Sequence, residues 1–139
     1  MRSVLGQKLG VDLSRAATLV TLRDRCTRKD GRIHADSSFK IATALLYLNE
    51  DWTSPKGRLR ILRSETDIED YALEIPPEGG LLACFRVQKN SWHGHKPFAG
   101  PRRYVMLNYC DRSFSCKRET AKHYVSAKVK RLRRSLGVG

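Results

Sequence analysis

The chain has 139 residues, enough for one packed domain with its own core and too few for two. Hydrophobic residues make up 40%, a globular rather than a disordered composition, and charges break every apolar run well short of the roughly 20 residues that span a bilayer. The net charge of +13 points to anionic partners, nucleic acid among them, so its location decides what it means.

Met1 to about Arg15 reads as the tail of a helix or a loop; it carries Arg2 and Lys8 and has no apolar run of the kind a secretory leader needs. Thr18 to Leu22 is β-branched and apolar, a strand pattern. Cys26 to Gly31 is polar and ends in the turn pair Asp30-Gly31. Ile33 to Asp36 reads as a short extended piece, in which His34 and Asp36 point to the same side. Phe39 to Asn49 is the clearest strand. Ile41, Thr43, Leu45 and Tyr47 share one face, and Ala42, Ala44, Leu46 and Leu48 the other, so both faces call for cover. The break at Thr53 to Gly57 favours a strand here over a buried helix.

Short strands follow at Leu59 to Leu62, at Tyr71 to Ile75 before the Pro76-Pro77-Glu78-Gly79-Gly80 stop, at Leu81 to Val87, and at Ser91 to His95. Arg103 to Cys110 alternates again, with Arg103, Val105, Leu107 and Tyr109 on one side and Tyr104, Met106 and Asn108 on the other. About eight short strands with Gly, Pro and Asp turns between them predict a mainly β fold, a sandwich or jelly roll. From Thr120 to Leu136 the period turns helical, with Ala121, Tyr124, Val125, Val129, Leu132 and Leu136 on one stripe. The expected organisation is an N-terminal segment over 1–17, a β core over 18–112 and a basic C-terminal helix over 113–139. That helix has an apolar stripe to pack and no aromatic platform among its cations, so its basic face reads as solvated and nucleic acid is not the expected partner.

Cys26, Cys84, Cys110 and Cys116 include no C-x-x-C pair, which argues against a zinc ribbon or a disulfide framework. Reduced thiols in a cytoplasmic protein are the expectation.

Two sequence features bear on chemistry. His34-Ala35-Asp36 places an imidazole and a carboxylate together, and Ser91-Trp92-His93-Gly94-His95 supplies a third ligand, from His93 or His95. Two imidazoles and a carboxylate on one face of a metal leave the opposite positions open, the arrangement of non-haem Fe(II) oxygenases. A bare His-x-Asp is a weak signal, and its weight comes from the blocks around it.

Those blocks, in order, are Gly31-Arg32-Ile33-His34-Ala35-Asp36, Leu46-Tyr47-Leu48-Asn49-Glu50-Asp51-Trp52, Gly57-Arg58-Leu59-Arg60, Pro76 to Phe85 with Trp92-His93-Gly94, and Gly100-Pro101-Arg102-Arg103-Tyr104. From about Thr18 to Cys110 the chain resembles the Fe(II)- and 2-oxoglutarate-dependent dioxygenases of the prolyl 4-hydroxylase type. The resemblance implies a double-stranded β-helix, an eight-stranded jelly roll. It implies His34, Asp36 and His93 as catalytic iron ligands, with His95 a neighbour that lines the site or the surface. The far carboxylate of 2-oxoglutarate would meet Arg103, at the family's offset from His93, with Arg102 as the second choice. Tyr47 would donate its hydroxyl to the same carboxylate, and Thr43, Leu45 and Leu59 would line the cosubstrate pocket.

The implied cofactors are Fe(II) and 2-oxoglutarate, with O2 as co-reactant and ascorbate as an optional reductant. The implied reaction couples decarboxylation of 2-oxoglutarate, to succinate and CO2, to hydroxylation of a prime substrate. Asp36 argues for hydroxylation, since halogenating relatives lack the carboxylate. By analogy the prime substrate is a peptidyl residue such as proline, or a small molecule. The rival reading is a non-catalytic jelly-roll binding protein that contacts nucleic acid through the basic C-terminal helix. Two departures from the family stand out. Leu22, Asp24 and Cys26 occupy the stretch where many relatives carry a cosubstrate-binding tyrosine. The segment before the first strand is also too short for a full helical layer, which predicts exposed apolar surface on the roll.

Overall fold

A computed structural model describes residues 1–113, together with Arg118 and Ala121. The elements are α1 (Arg2–Leu9), β1 (Ala17–Cys26), β2 (Lys40–Tyr47), β3 (Leu59–Leu62), β4 (Tyr71–Ile75), β5 (Leu82–Arg86), β6 (His93–Gly94) and β7 (Gly100–Cys110). They form two antiparallel sheets, a larger one in the order β1-β7-β2-β5 and a smaller one in the order β4-β3-β6. The fold is mainly β and consistent with a double-stranded β-helix.

The alternation along β2 explains the layering. Its even-numbered residues Ala42 and Ala44, 1% exposed, face outward under α1, where their small side chains admit Leu5, Leu13 and Ala16 beside Tyr109. From Thr43 on, past a bulge between Lys40 and Ala42, its odd-numbered residues face inward. Leu45 and Tyr47 form a second core with Leu59 and Ala83, backed by Ile61 and Met106 from the two sheets. The helix ends at Gly10, whose left-handed φ of 63° lets the chain turn back under its own last turn.

Helix α1 covers only one end of the outer face. One row further along, Leu22 pairs with Val105, Val105 with Leu46, and Leu46 with Leu82. This apolar row crosses all four strands, and its end members Leu22 and Leu82 are exposed, as are neighbouring Val20 and Leu48.

Three expectations need adjustment. The strand expected at Ile33 to Asp36 is reduced to a single bridge, His34 with His93, so the described residues hold seven strands. Strand β1 runs four residues past Leu22, with a bulge between Arg23 and Arg25 that lets it bend towards the site. The C-terminal helix expected over 113–139 lies outside the described residues, apart from Ser113, Arg118 and Ala121.

Candidate metal centre and cosubstrate cavity

The site forms where the β1–β2 connection crosses the end of the smaller sheet. His34 N–H donates to His93 O at 3.0 Å and His93 N–H to His34 O at 2.9 Å, which locks the two residues side by side. Their ring centroids are 4.3 Å apart. Asp36, two residues on, points the same way, and one ligand atom from each of His34, Asp36 and His93 lies within 4.8 Å of the others.

The surroundings prepare these atoms for a cation. Nδ1 of His34 is 2.8 Å from Arg32 O, and Nδ1 of His93 is 2.9 Å from Ser91 O. Backbone carbonyls only accept, so each Nδ1 carries the proton and each Nε2 keeps a lone pair for a metal. Burial lowers the His93 pKa below the usual imidazole value, which also favours the neutral ligand form. Phe85 braces that ring at 4.8 Å. The Asp36 carboxylate receives Lys40 Nζ at 2.6 Å on Oδ1 and the Thr43 hydroxyl at 2.6 Å on Oδ2. Burial pushes its carboxyl up, but the hydrogen bonds from Lys40 and Thr43 outweigh this and hold it below the ordinary carboxylate range. Two imidazoles and one ionised carboxylate on one face fit a divalent ion such as Fe(II).

Behind these ligands a cavity of about 260 Å³ runs between the sheets. Thr43, Leu45, Leu59 and Met106 form its walls. Arg102 lies in its wall, 2% exposed. Its Nε donates to Gly57 O at 2.7 Å, Nη2 donates to the Tyr47 hydroxyl at 3.4 Å, and the guanidinium lies over the rings of Tyr104 and Tyr47 at 5.1 and 5.4 Å. Among the described residues no carboxylate pairs with it. The other buried arginine, Arg60, is matched by Glu74 at 2.6 Å and Glu69 at 3.0 Å. Tyr47 is fully buried, and its pKa is pushed up to about 12 by that burial, so it stays a hydrogen-bond donor.

Arg103, the expected anchor, does not reach the cavity. Its side chain is 53% exposed and its Nε bonds Asp24 at 3.0 Å. On a pleated strand neighbours face opposite ways, and β7 turns Arg102, Tyr104 and Met106 inward together. Thr43, Leu45 and Leu59 line the cavity, whereas Tyr47 stands behind Arg102 rather than on the wall. His95 lines the cavity too, buried, with Nδ1 on Lys96 O at 2.9 Å.

Sequence reasoning missed Lys40, because a four-residue offset carries no signal in extended chain. It missed Asn108, whose Oδ1 lies 3.1 Å from the Thr43 hydroxyl, because the contact bridges 65 residues. Tyr104 and Cys26 also line the cavity. Parity placed Tyr104 on the Met106 face, but nothing in the sequence linked that face to a ligand.

Comparison with known proteins agrees with this geometry. Residues 23–111 match the 2OG-Fe(II) oxygenase superfamily. Among solved structures, the chain is similar to the crystal structure of a Pseudomonas putida prolyl-4-hydroxylase, with a TM-score of 0.57 and 22% identity over 80% of this chain. At that identity the likeness is one of fold, and the chain spans 60% of that protein's length. No curated protein matches. With the family match covering well over half of its length, from β1 to the end of β7, the chain belongs to the 2OG-Fe(II) oxygenase superfamily.

Proposed function

We propose that the chain is an Fe(II)- and 2-oxoglutarate-dependent dioxygenase that hydroxylates a prime substrate. The observation that carries the reading is Arg102. A guanidinium inside a protein costs several kcal/mol unless a counter-ion accompanies it. Arg60 has two carboxylates and Arg102 has none among the described residues. A ligand carboxylate between the sheets completes the site, and 2-oxoglutarate has the required second carboxylate beyond its 2-oxo acid end.

Each residue then has a task. His34, Asp36 and His93 would hold the iron. Arg102 binds the far carboxylate, and Tyr47 fixes the guanidinium from behind. Thr43 couples the cosubstrate wall to the metal by holding Oδ2 of Asp36. Leu45, Leu59 and Met106 keep the passage dry, which strengthens every charge interaction inside it. Bound iron would supply the activation of O2, with 2-oxoglutarate as the two-electron reductant. Hydroxylation of a peptidyl residue such as proline is the favoured outcome, by analogy with the Pseudomonas putida protein. A reducing, cytoplasmic setting suits a chain whose cysteines include no C-x-x-C pair.

The test loads the protein anaerobically with Fe(II), 2-oxoglutarate and ascorbate, admits O2 and measures succinate. Uncoupled turnover requires no knowledge of the prime substrate. The reading expects succinate from the wild type and none above background from His34→Ala or Asp36→Ala. Wild-type protein that takes up iron and releases no succinate would refute it.

A further inference from the structure

The cavity has an annex. A shallow groove of about 160 Å³ is lined by Arg28, Arg32, Ile33, Ile68 and Pro97. It shares Asp30, Gly31 and His95 with the cavity that holds the metal ligands, so the two are separated by little more than one peptide. Gly31 is the thin point, held to His95 by a backbone hydrogen bond of 2.9 Å. The groove has an apolar floor, made by Ile33, Ile68 and Pro97, and a cationic rim. Arg28 and Arg32 are exposed and make no ion pair among the described residues. The carboxylate nearest to them in the groove, Asp30, is taken up by the Thr27 N–H at 2.7 Å and the Thr27 hydroxyl at 2.9 Å. Arg32 O also holds the His34 ring, so the segment that lines the groove is the segment that sets a metal ligand.

We propose that this groove is the subsite for the prime substrate, and that it takes a peptide presenting an apolar side chain flanked by carboxylates. The proposal rests on the oxygenase reading for its role but not for its chemistry. The apolar floor would seat the side chain next to the oxidised residue, and the two arginines would pair with the flanking acids. A nucleic acid fits less well. The one ring in the groove's lining, that of His95, is buried and tied to Lys96 O, and the floor would leave a sugar-phosphate chain over three aliphatic residues.

The test is a binding measurement on the full chain without metal, so its outcome is independent of turnover. The probe is a fluorescein-labelled heptapeptide, Asp-Glu-Leu-Pro-Leu-Glu-Asp, followed by anisotropy. The comparison probes are the same peptide with every acid replaced by Lys, and a fluorescein-labelled thymidine oligonucleotide. The acidic peptide is expected to bind at least about tenfold more tightly than its Lys counterpart. Arg28→Glu combined with Arg32→Glu should weaken it by about tenfold or more, since two charge-assisted contacts are reversed. Ile68→Ser should weaken it by about threefold to tenfold through the floor. Lys8→Glu combined with Arg15→Glu, the same charge change on the α1 side of the larger sheet, should stay within about twofold, because screened charges outside the groove contribute little. Equal losses from the groove and α1-side pairs, or tighter binding of the oligonucleotide than of the peptide, would overturn the proposal. Retained binding in Ile68→Ser alongside loss in the arginine pair would overturn the apolar-residue half of it.

Discussion

His34 and His93 exchange both of their backbone hydrogen bonds, at 3.0 and 2.9 Å, although 59 residues separate them in the chain (93 − 34). In an antiparallel pair, directly opposed residues put their side chains on the same face. The candidate metal site is therefore set by a ladder rung, and its two rings lie side by side, tilted by 54°, before any ion arrives. A site with this much preformed order should bind a divalent ion without refolding. Ligand binding to the folded state alone adds about 2.7 kcal/mol at a hundredfold excess over Kd, which for a domain of this size raises Tm by roughly 9 °C. We expect that rise with Fe(II) under anaerobic conditions and with Mn(II) in air. His93→Ala and Asp36→Ala should lose it, while EDTA should return the wild type to its metal-free Tm. A wild-type melt that does not move with either metal would contradict the site.

Arg102 and Arg103 make opposite predictions. Arg102→Met removes a buried charge that has no carboxylate partner among the described residues, and Arg103→Met removes an exposed ion pair with Asp24. Loss of Arg102 should weaken 2-oxoglutarate binding by about thirtyfold or more, since truncating one side of a buried charge pair costs about 2–5 kcal/mol. The same substitution should leave the ligand-free protein as stable as the wild type, or more so, because an uncompensated cation leaves the interior. Arg103→Met should change binding by less than about threefold, as exposed ion pairs contribute little. Calorimetric titration of the Mn(II)-loaded protein with 2-oxoglutarate, beside melts of the free protein, separates the two residues.

The contrast shows how far the sequence reaches. Alternation placed Thr43, Leu45 and Tyr47 on one face of β2, and that face does look into the molecule. The same parity, applied to Met106, turns Arg102 inward and Arg103 outward; counting an offset from His93 hid this, because a one-residue slip reverses a strand's faces. The His34–Asp36 spacing marked two of the three residues that the fold brings together, since it is local. Lys40 and Asn108 were not legible, because their contacts depend on how a connection folds over a strand and on a pairing across 65 residues. The outer face was legible only in general. Apolar residues at Leu22, Leu46, Leu82 and Val105 follow from the pattern, but their alignment as one row across four strands requires the register.

Stability of the metal-free protein should fall on mild acidification. Burial lowers the pKa of both His93 and His95 from the ordinary value of 6.5. In the unfolded chain these rings take up protons as pH drops through about 6.5, whereas the folded protein resists, so the unfolded state binds more protons and gains ground. The loss begins near pH 6.5 and continues down to the lowered folded values. Carboxylates with lowered pKa, Asp36 and Asp30, give up stability only below the carboxylate range, starting from 3.8, and leave this window to the histidines. Tm should therefore drop between about pH 7.5 and 5.5, and His95→Gln should make that drop shallower. An unchanged slope in His95→Gln would show that this ring is not held neutral.

Gly31 leaves no room for a single added methyl group. Its φ of +81° lies in the left-handed region, where a β-carbon is strained. The same β-carbon would collide with the His95 ring, which is itself buried and tied to Lys96 O. Gly31→Ala thus combines a backbone penalty with a displaced ring, and backbone strain of this kind alone costs about 1–3 kcal/mol. Pairing it with His95→Ala removes the collision and leaves the strain. Urea unfolding of the two single variants and the double should then show an interaction of opposite sign to the single losses, the double being more stable than their sum predicts. Strict additivity would place the whole penalty in the backbone. The recovered part measures how tightly the thin wall between groove and cavity is built.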